Sequence, residues 1–446
     1  MGRVIVAGGG IVGAGIVRDL TLRGVDVTLI ERQVPAAGAT GRCHGLLHSG
    51  ARYAVRDLKA AAECATEGPI LKRMAPHCIE DTGGFSLAVT EKDAEYGDLL
   101  LPACQGAGVA IEEIDASESP NPEALRCFRT DDAAVDPFLL TLSNLYDARQ
   151  NGAEIICGRA VVSLSDGIVR LDDGQSLKAD VIINATGHEC AGLLRQSGMD
   201  APAVQPDKGT ILVTERRVCH AVISHMRMPS DGDIIVPGHS TSLIGTTSSR
   251  SDDSVSTRDE YRRLMREAVA LLPAMEGVRI IRAFSGIRPL LGTGEGRELS
   301  RDFCISESGG VLTVAGGKLT TYRLIAERAS DAVMKVMGER GSCRTMTTKL
   351  PDIRQDSADG IECRCESAGK RIVEMDFLRG MDLSKYNRLG FGTCQGLRCS
   401  KHAPSQESFL EERWKGVRPV LDESQLRQAY VTWAAWRTSK GEKREI

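Results

Sequence analysis

Arg3-Val4-Ile5-Val6-Ala7-Gly8-Gly9-Gly10-Ile11-Val12-Gly13 places a short apolar run directly before a G-x-G-x-x-G pattern. The run predicts a buried strand. Apolar residues then recur at helical spacing over residues 11–23, and Gly24 stops them. Val25-Asp26-Val27-Thr28-Leu29-Ile30 predicts a second strand, closed by Glu31. Gly8 suits a tight turn, Gly10 a close backbone approach to a pyrophosphate, and Gly13 close packing of helix on strand. The pyrophosphate belongs at the helix N-terminus, where unpaired N–H groups and the dipole favour negative charge. Glu31 is placed to accept hydrogen bonds from ribose hydroxyls. Glycines alone signal little. Strand, helix, strand and acid in this order make a dinucleotide-binding unit.

Two later pieces extend it. Residues 167–171 and 176–177 predict a hairpin around Asp172-Asp173-Gly174, and Asp180-Val181-Ile182-Ile183-Asn184-Ala185-Thr186-Gly187 an apolar strand ending in a small-residue turn. Val311-Leu312-Thr313-Val314-Ala315-Gly316-Gly317-Lys318 predicts another strand and glycine turn, followed by a helix over residues 319–337. The first of these resembles the second nucleotide-contacting strand of FAD-dependent oxidoreductases. Together the pieces predict one α/β Rossmann-like FAD domain, of the glutathione-reductase and D-amino-acid-oxidase type, built from discontinuous segments.

The 446 residues are too many for one core, so two or three units are expected. Net charge is −4 and the basic residues are scattered, which argues against nucleic acid. No apolar run reaches the roughly 20 residues of a membrane span. The N-terminus has no charged leader with a long apolar core, so a cytoplasmic location is expected. Of 14 cysteines, those from Cys43 to Cys343 are spread singly and are expected as small buried residues rather than disulfides.

Gly38-Ala39-Thr40-Gly41-Arg42-Cys43-His44-Gly45-Leu46-Leu47-His48-Ser49-Gly50-Ala51-Arg52-Tyr53, Ser285-Gly286-Ile287-Arg288-Pro289-Leu290 and Gly316-Gly317-Lys318-Leu319-Thr320-Thr321-Tyr322-Arg323 are longer motifs. With Lys208-Gly209 and Leu243-Ile244-Gly245-Thr246-Thr247, they resemble the flavin-dependent glycerol-3-phosphate dehydrogenases, nearly end to end. Within that family the pattern is similar to the catalytic branch of the anaerobic enzymes. The similarity includes a C-terminal cysteine segment and Phe409-Leu410-Glu411-Glu412-Arg413-Trp414-Lys415-Gly416-Val417. The resemblance implies noncovalent FAD contacted by Gly8, Gly10, Gly13, Glu31, Arg32, Thr40, Gly41, His44, Gly45, Gly187, Gly316, Gly317, Leu319 and Thr320. It also implies companion B and C subunits that carry electrons to membrane quinone, so that membrane association is indirect.

Oxidising a secondary alcohol requires a hydride acceptor, a base for the hydroxyl proton and cations that orient the substrate. A phosphate handle calls for Arg and Lys. Arg52 and Arg288 match family positions in the substrate pocket and are assigned to the phosphate, with Tyr53 adding a hydroxyl contact. Lys318 either holds substrate or stabilises the charge of reduced flavin. His48 lies where relatives place a residue beside the flavin, and imidazole suits proton transfer near neutral pH. His44 shares the region, and packed structural histidines are the commoner case. The reading is oxidation of sn-glycerol 3-phosphate to dihydroxyacetone phosphate. Its rivals are an enzyme of the same fold acting on a 2-hydroxy acid or amino acid, and a flavin and iron–sulfur electron-transfer subunit.

Cys363-Arg364-Cys365 and Cys394-Gln395-Gly396-Leu397-Arg398-Cys399 form a C-x-C and a C-x4-C pair. Four thiolates hold a [2Fe–2S] cluster or zinc, and C-x-C is unusual for zinc. The arrangement resembles the bacterioferritin-associated-ferredoxin type of [2Fe–2S] domain, expected here as small and mostly helical. Its spacer is shorter than that type implies, and the stretch over residues 351–362 is abbreviated relative to the family.

The expected division is a flavin region over 1–345, a linker over 346–360 and the cysteine segment with a tail over 361–446. FAD-binding parts span about 1–68, 145–202 and 282–345. Substrate-capping parts span about 69–144 and 203–281, the latter with strands over 207–214, 233–237 and 241–247 in an antiparallel sheet and a helix over 260–272. Arg250-Ser251-Asp252-Asp253-Ser254 reads as a polar loop and Asp136-Pro137 as a turn. In the tail, Leu426, Tyr430, Trp433 and Ala434 share one helical face, which either packs on its own domain or docks a partner.

Overall fold

The computed structural model describes residues 2–356, 363–366, 370–396, 399 and 413–439. Its organising element is a six-stranded sheet. β1 (Arg3–Ala7) lies at the centre, followed in the chain by α1 (Ile11–Leu22) and β2 (Asp26–Glu31). The sheet runs Phe303–Ser308, Val311–Gly316, Val181–Asn184, β1, β2 and Glu154–Cys157, all parallel except the antiparallel first strand. Of the two later apolar runs, Val181–Asn184 pairs with β1 and Val311–Gly316 pairs with Val181–Asn184, although all three are far apart in sequence.

The sheet is buried on both faces, which is why its strands read as unbroken apolar runs rather than alternating ones. Val4, Val6, Val27, Leu29, Val181 and Ile183 face α1 and the helix Tyr322–Met337. Ile5, Ile30 and Ile182 face the hairpin strands Ile168–Leu171 and Ser176–Lys178 and the helix Cys190–Gln196. Gly8 has φ +108, and a Cβ at Gly13 would lie 1.9 Å from the Gly8 carbonyl oxygen. These two glycines allow α1 to start directly against the end of β1.

The second layer is a nine-stranded sheet built from both expected capping segments and from residues 282–291 of the expected flavin part. Val204–Thr214 pairs antiparallel with Ile280–Leu291 over its whole length and with Thr241–Gly245. Ile234–Gly238 and Val222–His225 follow, and the latter runs parallel to Gly84–Ala88. The expected antiparallel sheet is thus mixed, because one parallel pairing joins its two halves. The helix expected over 260–272 spans Arg258–Leu271, with a Thr257/Glu260 capping box.

Several local expectations are corrected. Asp136-Pro137 starts a helix, Pro137–Gln150, rather than a turn: Asp136 Oδ1 accepts from the Phe138 and Leu139 N–H groups, and proline is well suited to the first helical position. That helix packs on α1. Within the polar loop, Ser249–Arg250 adds a short strand to Asp207 and Lys208. The helix after Gly317 begins at Tyr322 instead of residue 319, because Gly316 and Gly317 are both left-handed and residues 318–321 complete the turn.

The linker segment is anchored over its described part. The Leu350 N–H donates to the Met74 carbonyl at 2.8 Å, Ile353 is fully buried, and Arg354–Asp356 pairs with Lys370–Ile372. Between Cys363 and Cys399 the described chain consists of turns, that short strand and a 3-10 turn at Asp376–Leu378. Helix appears only after it, over residues 413–417 and Glu423–Ser439. Gly380, Asp382, Asn387, Gly390 and Gly392 favour turns over helix there. The segment docks on the flavin domain: Tyr386 Oη donates to the Pro35 carbonyl at 2.7 Å, and Arg388 bridges Asp136 at 3.1 Å and Glu366 at 2.8 Å. Phe391 packs edge-on against Phe138. In the tail, Trp414 stacks edge-on with Tyr430, while the Trp433 and Ala434 side chains and residues 409–412 lie outside the described residues.

Candidate active site

A cavity of about 1430 Å³ runs from the carboxyl ends of β1 and β2 to the face of the nine-stranded sheet. Gly8, Gly10, Glu31, Arg32, Thr40, Gly187, Gly316, Gly317 and Leu319 line its long arm. His44, His48, Arg52, Tyr53, Arg288 and Lys318 line its inner end. Gly13, Gly41, Gly45 and Thr320 do not line it. A Cβ at Gly41 would strike the Phe138 ring, and one at Gly45 the Val135 carbonyl. Thr320 is fully buried and its hydroxyl accepts from the His48 backbone N–H at 3.0 Å. These four shape the wall from behind.

The nucleotide arm is preorganised by short-range contacts. α1 begins at Gly10, which has no side chain to cap it, and the Thr40 hydroxyl accepts from the Ile11 N–H at 3.1 Å instead. The other first-turn donors remain for an anion. Glu31 Oε2 accepts from the Gly9 N–H at 2.6 Å and Oε1 from the Gln33 N–H at 2.9 Å, which fixes the carboxylate beside the cavity. Arg32 and Glu189 pair at 2.9 Å at the arm's outer mouth.

The inner end is rich in cations. Arg52 pairs with fully buried Asp233 at 2.7 Å. Arg288 makes an ion contact with fully buried Asp207 at 2.6 Å, outside hydrogen-bond geometry. Its N–H groups donate instead to Thr246 Oγ1 at 3.0 Å and the Thr247 carbonyl at 2.6 Å. Burial, then repulsion from Arg301, pulls the Arg288 pKa down to about 9, so it remains charged at neutral pH. Arg297 donates to Asp231 at 2.8 Å and the Thr246 carbonyl at 2.6 Å. Arg301 differs from these three. Its side chain lines the cavity and has no hydrogen-bond or ion-pair partner among the described residues. Its pKa is lowered, first by burial. Lys318 also has no carboxylate in contact: Nζ donates to the Arg301 carbonyl at 3.0 Å and lies 5.3 Å over the Tyr53 ring.

The structure therefore brings all five sequence-derived catalytic candidates together. Sequence reasoning misses Arg297, Arg301 and the buried acids Asp207, Asp231 and Asp233. Two arginines in the glycine-rich stretch after Arg288-Pro289 are the available signal.

His48 lies edge-on to Tyr53, with ring centroids 5.1 Å apart, and 6.1 Å from His44. Burial, then the neighbouring Arg52 and Arg288, lowers His44 to about 3. Burial, then His44 and Arg52, holds His48 well below its usual range. Both rings are thus neutral near pH 7, the form a base requires. A base with a lowered pKa is competent above that pKa and fails only when pH falls through it. The rate of flavin reduction by substrate will vary less than about twofold from pH 6.5 to 8, with any imidazole-dependent loss confined below pH 6. With substrate saturating at every pH, so that the phosphate's own second ionisation at about 6 does not limit binding, a stopped-flow midpoint near 6.5 would refute the lowered values.

Residues 3–329 match the model of the FAD dependent oxidoreductase family. Over 515 aligned residues the chain is 36% identical to the A-type subunit of anaerobic glycerol-3-phosphate dehydrogenase from Escherichia coli strain K12, covering 96% of this chain and 95% of that protein. The chain belongs to the family of anaerobic glycerol-3-phosphate dehydrogenase A-type subunits, within the FAD-dependent oxidoreductases. Solved structures of the same fold include L-proline dehydrogenase from P. horikoshii, with TM-score 0.65 and 19% identity over 78% of this chain and 95% of that one. Another is L-alpha-glycerophosphate oxidase from Mycoplasma pneumoniae with FAD bound, with TM-score 0.65 and 18% identity over 79% of this chain and 100% of that one.

The long arm fits the family's FAD. It offers a glycine turn whose Gly8 and Gly13 exclude side chains, α1's N-terminus and a fixed acid at the end of β2.

Among the described residues no group of three or more His, Cys, Asp or Glu is arranged to hold a metal ion. Cys363 and Cys399 are nonetheless buried together, with Cys365 packed against them. Burial, then Cys363, pushes the Cys399 thiol up to about 11, and Cys394 is also within electrostatic reach. Leu397 and Arg398 lie outside the described residues. The earlier cysteines are free thiols, buried or half-buried, as expected. No helix among the described residues is long and apolar enough to cross a membrane.

Proposed function

We propose that this chain oxidises sn-glycerol 3-phosphate to dihydroxyacetone phosphate. The carrying observation is charge. Arg52, Arg288 and Arg297 each have a carboxylate in ion-pair contact, whereas Arg301 and Lys318 have none among the described residues. The inner end thus holds two cations with no carboxylate in contact, Lys318 facing Asp57 and Glu63 and Arg301 facing Asp207 only at longer range, which matches a phosphate monoester dianion better than a monoanionic carboxylate. FAD, when bound, would supply the acceptor for the hydride on the substrate's secondary carbon. Arg301 and Lys318 hold the phosphate. Arg52 and Arg288, locked by Asp233 and Asp207, present their remaining N–H groups to the substrate oxygens, and Tyr53 adds a hydroxyl. Neutral His48 takes the hydroxyl proton, beside His44. Gly8 and Gly10 would cradle the pyrophosphate of FAD, Glu31 would take the ribose hydroxyls, and Arg32, Gly187, Gly316, Gly317 and Leu319 would complete the arm.

We further assign Cys363, Cys365, Cys394 and Cys399 to a [2Fe–2S] cluster. Sulfur donors suit iron, two of the four thiols are already buried together, and Arg413 is close enough to Cys394 and Cys399 to feel their charge. In this reading residues 1–345 form the flavin region and residues 361–446 the cysteine segment with a partner-docking tail. Electrons leave through B and C type subunits to a quinone, and the chain works in the cytoplasm, peripherally on the membrane through those subunits.

Ligand discrimination tests the substrate class. Oxidised holoprotein, followed by flavin absorbance, should bind dihydroxyacetone phosphate at least about a hundredfold more tightly than lactate, a difference of about 2.7 kcal/mol. Tighter binding of lactate would move the reading to a 2-hydroxy acid.

A further inference from the structure

A base works only when its ring is held within reach of the proton it takes. In many sites a third group bonds the far ring nitrogen and sets the aim. The His48 ring makes no hydrogen bond among the described residues, and its aromatic neighbours Tyr53 and His44 meet it edge-on. Its aim therefore depends on where its main chain is held.

The segment itself offers little. Leu46–Leu47 is a two-residue strand paired antiparallel with Ala133 and Ala134, and the pairing ends there. Left-handed Gly45 and Gly50 bracket residues 46–49. Glycine loses the most conformational freedom on ordering, so this stretch is costly to fix from within.

Two side chains from distant parts of the chain take over where the strand stops. Thr320 Oγ1 accepts from the His48 N–H at 3.0 Å, and Asp132 Oδ1 accepts from the Ser49 N–H at 2.7 Å. Both side chains are buried. Thr130 Oγ1 donates to the second Asp132 oxygen at 2.7 Å, so both carboxylate oxygens are engaged. Asp132 has no ion-pair partner among the described residues. Burial raises its pKa, and the hydrogen bond from the Ser49 main chain pulls back against that. A buried carboxylate without a cation costs stability, so what it holds in place matters more than any stability it adds. Thr320 belongs to the turn over residues 318–321, so the turn that presents Lys318 also holds His48.

We propose that Thr320 and Asp132 are the positioning residues of His48, holding the two consecutive main-chain N–H groups that set its ring against the substrate's secondary hydroxyl. The proposal rests on the reading of His48 as the base. Neither residue lines the cavity, so each acts through the main chain of residues 48 and 49. This gives Thr320 a part other than the cofactor contact that the family resemblance implies. Misplacing a reacting group by about 1 Å costs about a hundredfold in rate, so losing one of two holds is felt in the rate before it is felt in binding.

Stopped-flow reduction of oxidised holoprotein by saturating glycerol 3-phosphate tests this. The Kd for dihydroxyacetone phosphate is read from flavin absorbance on the same proteins. Thr320→Val keeps the shape of the side chain and removes the acceptor. It should slow the limiting rate of reduction by about tenfold while Kd changes by less than about twofold. Thr320→Ser keeps the hydroxyl and should recover most of the rate. Asp132→Ala should slow reduction by a similar factor, and Asp132→Asn, which still accepts from Ser49, should stay within about threefold of the native rate. His48→Asn is the reference and should be slower than any of these. A native rate in Thr320→Val beside a slow His48→Asn overturns the positioning and leaves the base reading standing. A native rate in His48→Asn overturns both. Binding lost together with rate in Thr320→Val, or no recovery in Thr320→Ser, reduces Thr320 to packing and overturns its part. Asp132→Asn as slow as Asp132→Ala would place the effect in the charge and overturn the part of Asp132.

Discussion

Gly13→Val will give a colourless protein. A Cβ at this position falls 1.9 Å from the Gly8 carbonyl oxygen and 3.1 Å from its carbon, both backbone atoms that no rotamer change can move. α1 must slide away from β1, and its N-terminal donors leave the place where the pyrophosphate binds. Hydrogen bonds to a charged acceptor are worth about 1.5–3 kcal/mol each. Losing two weakens FAD by roughly a hundredfold to ten-thousandfold. The flavin-to-protein ratio after gel filtration, with FAD added back at micromolar concentration, measures this. Because α1 shares its core with β1 and β2 through Ala14, Ile16, Val17 and Leu20, stability falls as well, and the flavin ratio is read on the fraction that elutes folded. A yellow Gly13→Val protein with a normal ratio would move the cofactor elsewhere.

Arg301→Ala should raise the KM for glycerol 3-phosphate by about a hundredfold while FAD stays bound and stability changes little. The side chain has no hydrogen-bond or ion-pair partner among the described residues to orphan, so its removal costs the protein only longer-range electrostatics with Asp207, Tyr53 and Arg288. A charge-assisted contact to phosphate is worth about 1.5–3 kcal/mol in the general case, and the cation excess at this end places Arg301 in the upper part of that range. Arg288→Ala is the contrast. It strands fully buried Asp207, and breaking such a pair costs about 3–5 kcal/mol of stability. Its kinetic loss would therefore come with a lowered unfolding midpoint. Steady-state kinetics beside thermal melts separate the two. Unchanged KM in Arg301→Ala would remove the charge argument for phosphate.

The first β-α-β unit is legible because its information is local. The glycines, helical spacing and closing acid lie within thirty-one consecutive residues, and each has one structural use. That Val181–Asn184 and Val311–Gly316 are strands of the same domain as β1 is legible for a related reason, since strands buried on both faces announce themselves as unbroken apolar runs, whereas their order in the sheet is not. Asp136-Pro137 misleads because an Asp-Pro pair suits both a turn and a helix start. Only the hydrogen bonds to Phe138 and Leu139 distinguish them. The expectation of a helical cysteine segment comes from the likeness of its motif to a known domain type. Its own glycines and turn-forming Asp and Asn residues favour turns.

The site is only half legible. His48, Arg52, Tyr53, Arg288 and Lys318 sit in motifs, and the cavity gathers all five. Which of the cations are free to meet a ligand is not in any motif. Asp207, Asp231 and Asp233 neutralise their arginines across 81, 66 and 181 residues of chain respectively, through contacts that exist only once the sheets have packed. Arg301 is the informative residue because it lacks such a partner among the described residues, and a sequence does not display the absence of a contact.

The most direct test is an anaerobic titration of the yellow holoprotein with glycerol 3-phosphate, followed by the flavin absorbance band. Full bleaching by stoichiometric glycerol 3-phosphate, with none from glycerol or lactate at the same concentration, is the result expected here. Flavin that stays oxidised with glycerol 3-phosphate in excess, or that is bleached by lactate instead, would contradict the account.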